Sequence, residues 1–176
     1  MTSGSMRCVA ELLNAMRADG VILNYAVFGA VAQMRYTEPV ATLDVDVLVG
    51  VSSPEGESLD VLAPIYEFCV ARGYRPEGEA IRVGAWPVQF IPVFNALTRE
   101  ALELADVVDF EGVPLRVVRP DYLAVIALSA GRAKDFARIL ALVEAGSVTI
   151  EQIGTLAESH GMGAVWRRFT KRFIDD

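Results

Sequence analysis

The chain carries one histidine and two cysteines in 176 residues. The lone His160 sits in a Ser159-His160-Gly161 context that reads as a helix end, which argues against a Ser-His-Asp triad or a His-ligated zinc centre. Cys8 and Cys69 lie far apart with no C-x-x-C spacing. That argues against a disulfide framework or thiolate zinc site, and both are expected as buried, reduced thiols. There is no G-x-x-x-x-G-K-[ST] loop, no G-x-G-x-x-G after a strand and no G-x-S-x-G elbow. P-loop, dinucleotide-binding and serine-hydrolase chemistries are thereby set aside. No apolar run is long enough to cross a bilayer. Met1-Thr2-Ser3-Gly4-Ser5 lacks a basic stretch leading into an apolar one, so a cytoplasmic protein with no membrane partner is expected. Repeats and low-complexity segments are absent as well.

What is present is an apolar, acidic chain. Hydrophobic residues make up 53%, enough for a sizeable core, and the length suits one domain with a small helical appendage. A net charge of −7 argues against a broad, sequence-independent grip on nucleic acid. The charge is uneven, because Trp166-Arg167-Arg168-Phe169-Thr170-Lys171-Arg172-Phe173 is basic. Its aromatics, at 166, 169 and 173, share one helix face and are expected to dock on the core while the basic residues stay solvated. A polyanion- or partner-binding role is the alternative.

Periodicity divides the chain in two. Residues 6–19 read as an amphipathic helix, 21–28 as a strand, and Gly29-Ala30 as the opening of a helix reaching about Tyr36. A helix through Leu59 and Val70 ends near Gly73, with Pro64 blurring its start. Strands at 74–77, 80–83 and 87–93 follow, then a short helix at 98–104 and a hairpin, 107–110 with 113–118. From Pro120 the period becomes helical: 120–130, 132–145, 150–159 with a Thr149/Gln152 capping box, and 163–173. The expected architecture is α+β, a mixed sheet with helices over 1–118 and a helical segment over 119–176 packed on it.

The most unusual stretch is Asp44-Val45-Asp46, inside a β-branched, apolar run from Thr42 to Val49. Strands disfavour aspartate, whose short side chain competes for backbone hydrogen bonds. Residues i and i+2 face the same way, so the two carboxylates project side by side, about 6.5–7 Å apart at Cα. Like charges that close repel unless water or a cation intervenes. The plain alternative is a solvated face of an edge strand. With histidine, thiolate and serine chemistry set aside, what remains is carboxylate chemistry with hard, oxygen-preferring ions such as Mg²⁺ or Mn²⁺.

The order of these parts resembles the nucleotidyltransferase superfamily (DNA polymerase β-like). Its signature is a strand ending in hydrophobic-Gly-Gly/Ser, a gap, then Asp-hydrophobic-Asp/Glu. Here Phe28-Gly29-Ala30 is followed, after 13 residues, by Asp44-Val45-Asp46. Thr42-Leu43-Asp44-Val45-Asp46 looks like the T-x-D-x-D core of the small prokaryotic branch, which includes minimal nucleotidyltransferases and the abortive-infection toxin type. Pro120-Asp121-Tyr122-Leu123 and Gly131-Arg132-Ala133-Lys134-Asp135 look like that branch's helical motif. The resemblance implies transfer of a nucleoside monophosphate from an NTP to a hydroxyl on RNA, protein or a small molecule. Asp44 and Asp46 would hold one or two Mg²⁺ or Mn²⁺ ions. Gly29, Ala30, Thr42 and Lys134 would meet the nucleotide.

Three departures from the family accompany this. Ala30 offers no hydroxyl to phosphate, and Val40 stands where the branch often has arginine. The strand expected to supply a third carboxylate, Trp86 to Ile91, carries Gln89 at that position. Gln89 can ligate a metal through its carbonyl but cannot act as a base near neutral pH. Asp106 and Asp109 are the substitutes in the chain, and Arg132 with Asp135 reads as a local ion pair of little consequence. The alternative function is a catalytically inactive protein of this fold that binds nucleotide or a protein partner, as in a toxin–antitoxin setting.

Overall fold

The computed structural model describes residues 6–37, 44–52 and 60–175. Contacts group the chain into two units, Met1–Ala32 with Ala41–Val118, and Gln33–Val40 with Arg119–Asp176. The first holds α1 (Met6–Ala18), β1 (Asn24–Phe28), β2 (Val45–Gly50), α3 (Ala63–Ala71), β3 (Arg75–Glu77), β4 (Ala80–Val83) and β5 (Trp86–Pro92). It continues with α4 (Ala96–Glu103), β6 (Asp106–Phe110) and β7 (Val113–Val117). α2 (Gly29–Gln33) runs from the first unit into the second, which holds α5 (Pro120–Ala130), α6 (Ala133–Glu144), α7 (Ile150–Ser159) and α8 (Gly163–Phe173). The class is α+β, with a mixed sheet and a C-terminal run of helices.

The sheet order is β3-β4-β5-β2-β1-β7-β6. β2 lies antiparallel to β1 and parallel to β5, and β1 runs parallel to β7. The hairpins β3–β4 and β6–β7 form the two edges. Val45, Val47, Leu48 and Val49 of β2 are fully buried, so both faces of this strand are covered along that stretch. α1 presents Val9, Leu12, Leu13 and Met16 at helical spacing and packs against β1 and β7. Tyr25 is buried beside it, and its hydroxyl donates to Asn14 Oδ1 at 2.7 Å. A buried phenol without that partner would be costly.

Several boundaries differ from the sequence expectation for identifiable reasons. β1 starts at Asn24, because Val21 and Ile22 donate their N–H groups to Met16 O in closing α1. α4 starts at Ala96, because Asn95 Oδ1 accepts from Thr98 N at 2.8 Å and Thr98 Oγ1 accepts from Asn95 N, a reciprocal cap. α3 begins at Ala63 with Pro64 in its first turn, where a missing N–H costs nothing. Cys69 is buried as expected, and burial pushes its thiol up to about 11. Cys8 is only half-buried, a correction to the expectation of two buried thiols.

Within the second unit, Gly131 at φ +69° closes α5, and the Thr149/Gln152 capping box is formed. Gln33, 2% exposed, donates to Arg138 O at 3.4 Å, and Ser147 donates to Tyr36 O at 2.6 Å. These bonds tie residues 33–37 to this unit. Of the α8 aromatics, Trp166 and Phe169 are buried and Phe173 stays exposed, and Phe136 of α6 lies 5.4 Å from Phe169 and 5.5 Å from Phe173, ring to ring. Arg168, Lys171 and Arg172 are exposed, as expected of a solvated basic face. Among the described residues no helix is long and apolar enough to cross a membrane.

Candidate active site

Asp46 is the second residue of β2 and is half-buried, while Asp44 lies one residue before the strand and is exposed. The pair therefore stands at the mouth of the strand, rather than inside it as the apolar run suggested. Val45 and Val47, on the opposite face, are fully buried, which fixes the alternation that turns Asp46 the other way. Asp46 is paired with Phe28, so the end of β1 brings Gly29 beside it.

Gly29 has φ +69°, and a Cβ built on it would lie 2.6 Å from Asp46 Oδ2. Two separate demands thus meet at this position. The backbone needs a conformation that L side chains rarely adopt, and the carboxylate fills the space a side chain would take. The family-like spacing between Phe28-Gly29-Ala30 and Asp44-Val45-Asp46 has a direct physical meaning: the glycine makes room for the aspartate. α2 is only five residues long, and the Ala30 methyl is buried.

Gln89 is aligned with Asp46 on the parallel neighbour β5, the position expected from the sequence. Its Nε2 donates to Glu79 Oε2 at 3.4 Å. Glu79 sits in the two-residue turn Gly78-Glu79 between β3 and β4, where Gly78 takes φ +64°. Tyr66 of α3 anchors that turn by donating its hydroxyl to Glu79 O at 2.8 Å. Burial first, then the charges of Asp60 and Glu79, hold the Tyr66 phenol above its ordinary range. A cleft of about 520 Å³ is lined by Asp44, Glu77, Glu79, Arg82, Pro87 and Gln89, among others. Arg82 is committed to Glu77, Nε to Oε2 at 2.6 Å.

Sequence reasoning missed Glu79, whose signal was a Gly-Glu turn one hairpin away from the glutamine strand. The substitutes it named instead are ruled out by topology. Asp106 and Asp109 lie on β6, separated from β2 by β7 and β1. Asp109 is used locally, its Oδ1 accepting from Gly112 N at 3.0 Å. Thr42 falls outside the described residues. Lys134 is exposed in the first turn of α6.

Asp135 corrects another expectation. It is 1% exposed and accepts from Arg132 N, Nε and Nη2 and from Arg138 Nη1, at 2.6–3.3 Å. Burial opposes its charge, but the Arg132 hydrogen bonds and the charges of Arg132 and Arg138 prevail and hold the carboxyl below its ordinary value. This is a buried structural knot at the start of α6, not a surface pair.

The donor chemistry at the strand mouth, two carboxylates with an amide on the adjacent strand, suits Mg²⁺ or Mn²⁺. Among the described residues no three His, Cys, Asp or Glu side chains converge as a metal set. Two carboxylates fit an ion that keeps its waters and arrives with substrate phosphates; they do not form an all-protein cage.

No protein-family model and no curated protein matches the chain. Solved structures do. An antigenic nucleotidyltransferase-like protein from Paracoccidioides brasiliensis is similar with a TM-score of 0.59 at 10% identity, covering 96% of this chain and 90% of that one. The antibiotic-resistance factor ANT(2'')-Ia is similar with a TM-score of 0.53 at 12% identity, covering 95% and 98%. The fold is nucleotidyltransferase-like.

Proposed function

We propose that this protein is a metal-dependent nucleotidyltransferase, moving a nucleoside monophosphate from an NTP to a hydroxyl acceptor. The observation that carries the reading is Gly29 with no room for a side chain against the Asp46 carboxylate, and Asp44 two residues before it. Asp44 and Asp46 would hold the Mg²⁺ or Mn²⁺ that accompanies the triphosphate. The ion, when bound, withdraws charge from the phosphates and so eases attack at phosphorus. Gly29, Ala30, Thr42 and Lys134 are the residues that the family resemblance assigns to the nucleotide. The cleft that Asp44 lines in the first unit also carries Glu79 and the Glu77–Arg82 pair, which disfavours a polyanionic acceptor because a phosphate backbone would meet the carboxylates of Asp44 and Glu79. A protein hydroxyl or a small molecule therefore suits it better than RNA. Membership of the minimal or abortive-infection branch, with a partner in a toxin–antitoxin pair, is part of the same proposal.

Gln89 in place of a third carboxylate favours a second reading, a protein that binds nucleotide without turning it over. Two measurements separate them: titration calorimetry with each NTP and Mn²⁺, then pyrophosphate release with Mg²⁺ or Mn²⁺. The enzyme reading expects both signals, with Asp46→Asn lowering turnover on the order of 10³-fold. Equal turnover by wild type and Asp46→Asn would sink the catalytic claim. Binding without turnover would select the second reading.

A further inference from the structure

We infer that Glu79 is the carboxylate missing from β5, carried instead on the neighbouring hairpin and aimed at the site by Gln89. The inference rests on the transferase reading above. The alignment of Asp46 with Gln89 places an amide where that chemistry calls for an acid. That amide does not end the chain of contacts. Its Nε2 donates to Glu79 Oε2, while the Tyr66 hydroxyl holds the same residue's backbone carbonyl. Glu79 is thus held at its backbone by Tyr66 and met at its exposed side chain by Gln89, in the wall of the cleft that Asp44 also lines. The donor it meets is a neutral amide rather than a cation. Glu77, the other glutamate of this wall, is paired with Arg82.

Glu79, Asp44 and Asp46 do not converge on one metal position among the described residues. The role left for Glu79 is at the acceptor. Its carboxylate takes the proton of the acceptor O–H as that oxygen bonds to the α-phosphorus of the NTP. The bond from the α-phosphorus to the bridging oxygen breaks, and pyrophosphate leaves with the electron pair. The proton then passes from Glu79 to water. The sum is NTP and R–OH giving R–O–NMP, pyrophosphate and H⁺.

The test is a charge exchange across the Gln89–Glu79 hydrogen bond. Pyrophosphate release is measured for wild type, Glu79→Gln and the double variant Glu79→Gln/Gln89→Glu, with Mg²⁺, each NTP in turn, and water, glycerol and the protein's own hydroxyls as acceptors. NTP affinity is titrated in parallel. Glu79→Gln should lower kcat about 10²-fold with affinity unchanged within about twofold. The double variant keeps the charge count, reverses the bond and puts the acid back on β5, and it should recover at least about tenfold of that loss. Wild-type kcat in Glu79→Gln overturns the inference and leaves the transferase reading standing. Loss of affinity together with kcat overturns it too, since Glu79 would then be serving the nucleotide. A fall that the double variant does not recover overturns the claim that the charge has moved. No pyrophosphate release from wild type that binds NTP overturns the transferase reading and the inference with it.

Discussion

The two edge hairpins of the sheet are built from nearly the same parts and use them differently. β3–β4 turns through Gly78-Glu79, with positive φ at the glycine alone, whereas β6–β7 turns through Glu111-Gly112, with φ of +51° and +85°. Each hairpin thus offers a glutamate at its tip. Glu79 reaches back across β4 to Gln89 on β5, whose other neighbour is the Asp46 strand. Glu111 stands at the opposite edge, where Arg7 donates to its backbone carbonyl at 3.4 Å, and the nearby Asp109 serves the turn itself. Acidic residues are plentiful in this chain. On the proposed reading, what sets Glu79 apart from the others is its place in the strand order.

The contrast sharpens most beside a carboxylate with a purely structural role. Asp135→Asn should cost about 1.5–3 kcal/mol, since it weakens several charge-assisted hydrogen bonds at a buried site. The folded carboxyl lies below its unfolded value of about 3.9, so its contribution is complete above that pH and is lost as pH falls through the folded value. Urea melts of wild type and Asp135→Asn should differ by a constant amount at neutral pH and converge in acid.

The hairpins themselves can be compared through their glycines. Apart from the adjoining residues, no atom of the described residues lies within 4 Å of a Cβ placed on Gly78 or Gly112, so alanine at either should cost only the left-handed backbone, about 1–2 kcal/mol. Matched falls in Tm are expected, but pyrophosphate release should drop, by about tenfold, only in Gly78→Ala. A similar drop from Gly112→Ala would break the distinction. The smallest effect belongs to Asp109→Ala, about 0.5–1 kcal/mol from one exposed turn bond, with unchanged turnover.

Local patterns made much of this legible in advance. α1, α5 to α8, the hairpin across Glu111-Gly112 and the Thr149 cap follow from periodicity and from turn or capping residues that act within a few positions. The alignment of Gln89 with Asp46 was also readable, through the family-like order of strands. Glu79 was not, because its relevance depends on a hydrogen bond to a residue ten positions away across a hairpin. Asp135 was misread for a related reason. Its three-residue spacing from Arg132 looks like an ordinary surface pair, and only the packing around α6 shows that the carboxylate is buried. Asp106 and Asp109 failed because strand order is not written in the sequence of strands.

The Asp46 carboxylate against Gly29 also bears on what selection for folding alone would keep. Of the two obstacles to a side chain at position 29, a smaller residue at 46 relieves one and leaves the φ of +69° in place. A related chain without turnover that still folded would therefore keep this glycine, and would keep it most strictly while it kept the aspartate. Glycine at 29 testifies to the presence of the carboxylate. Testimony to its use has to come from residues that folding would let go, and exposed Glu79 is one of them.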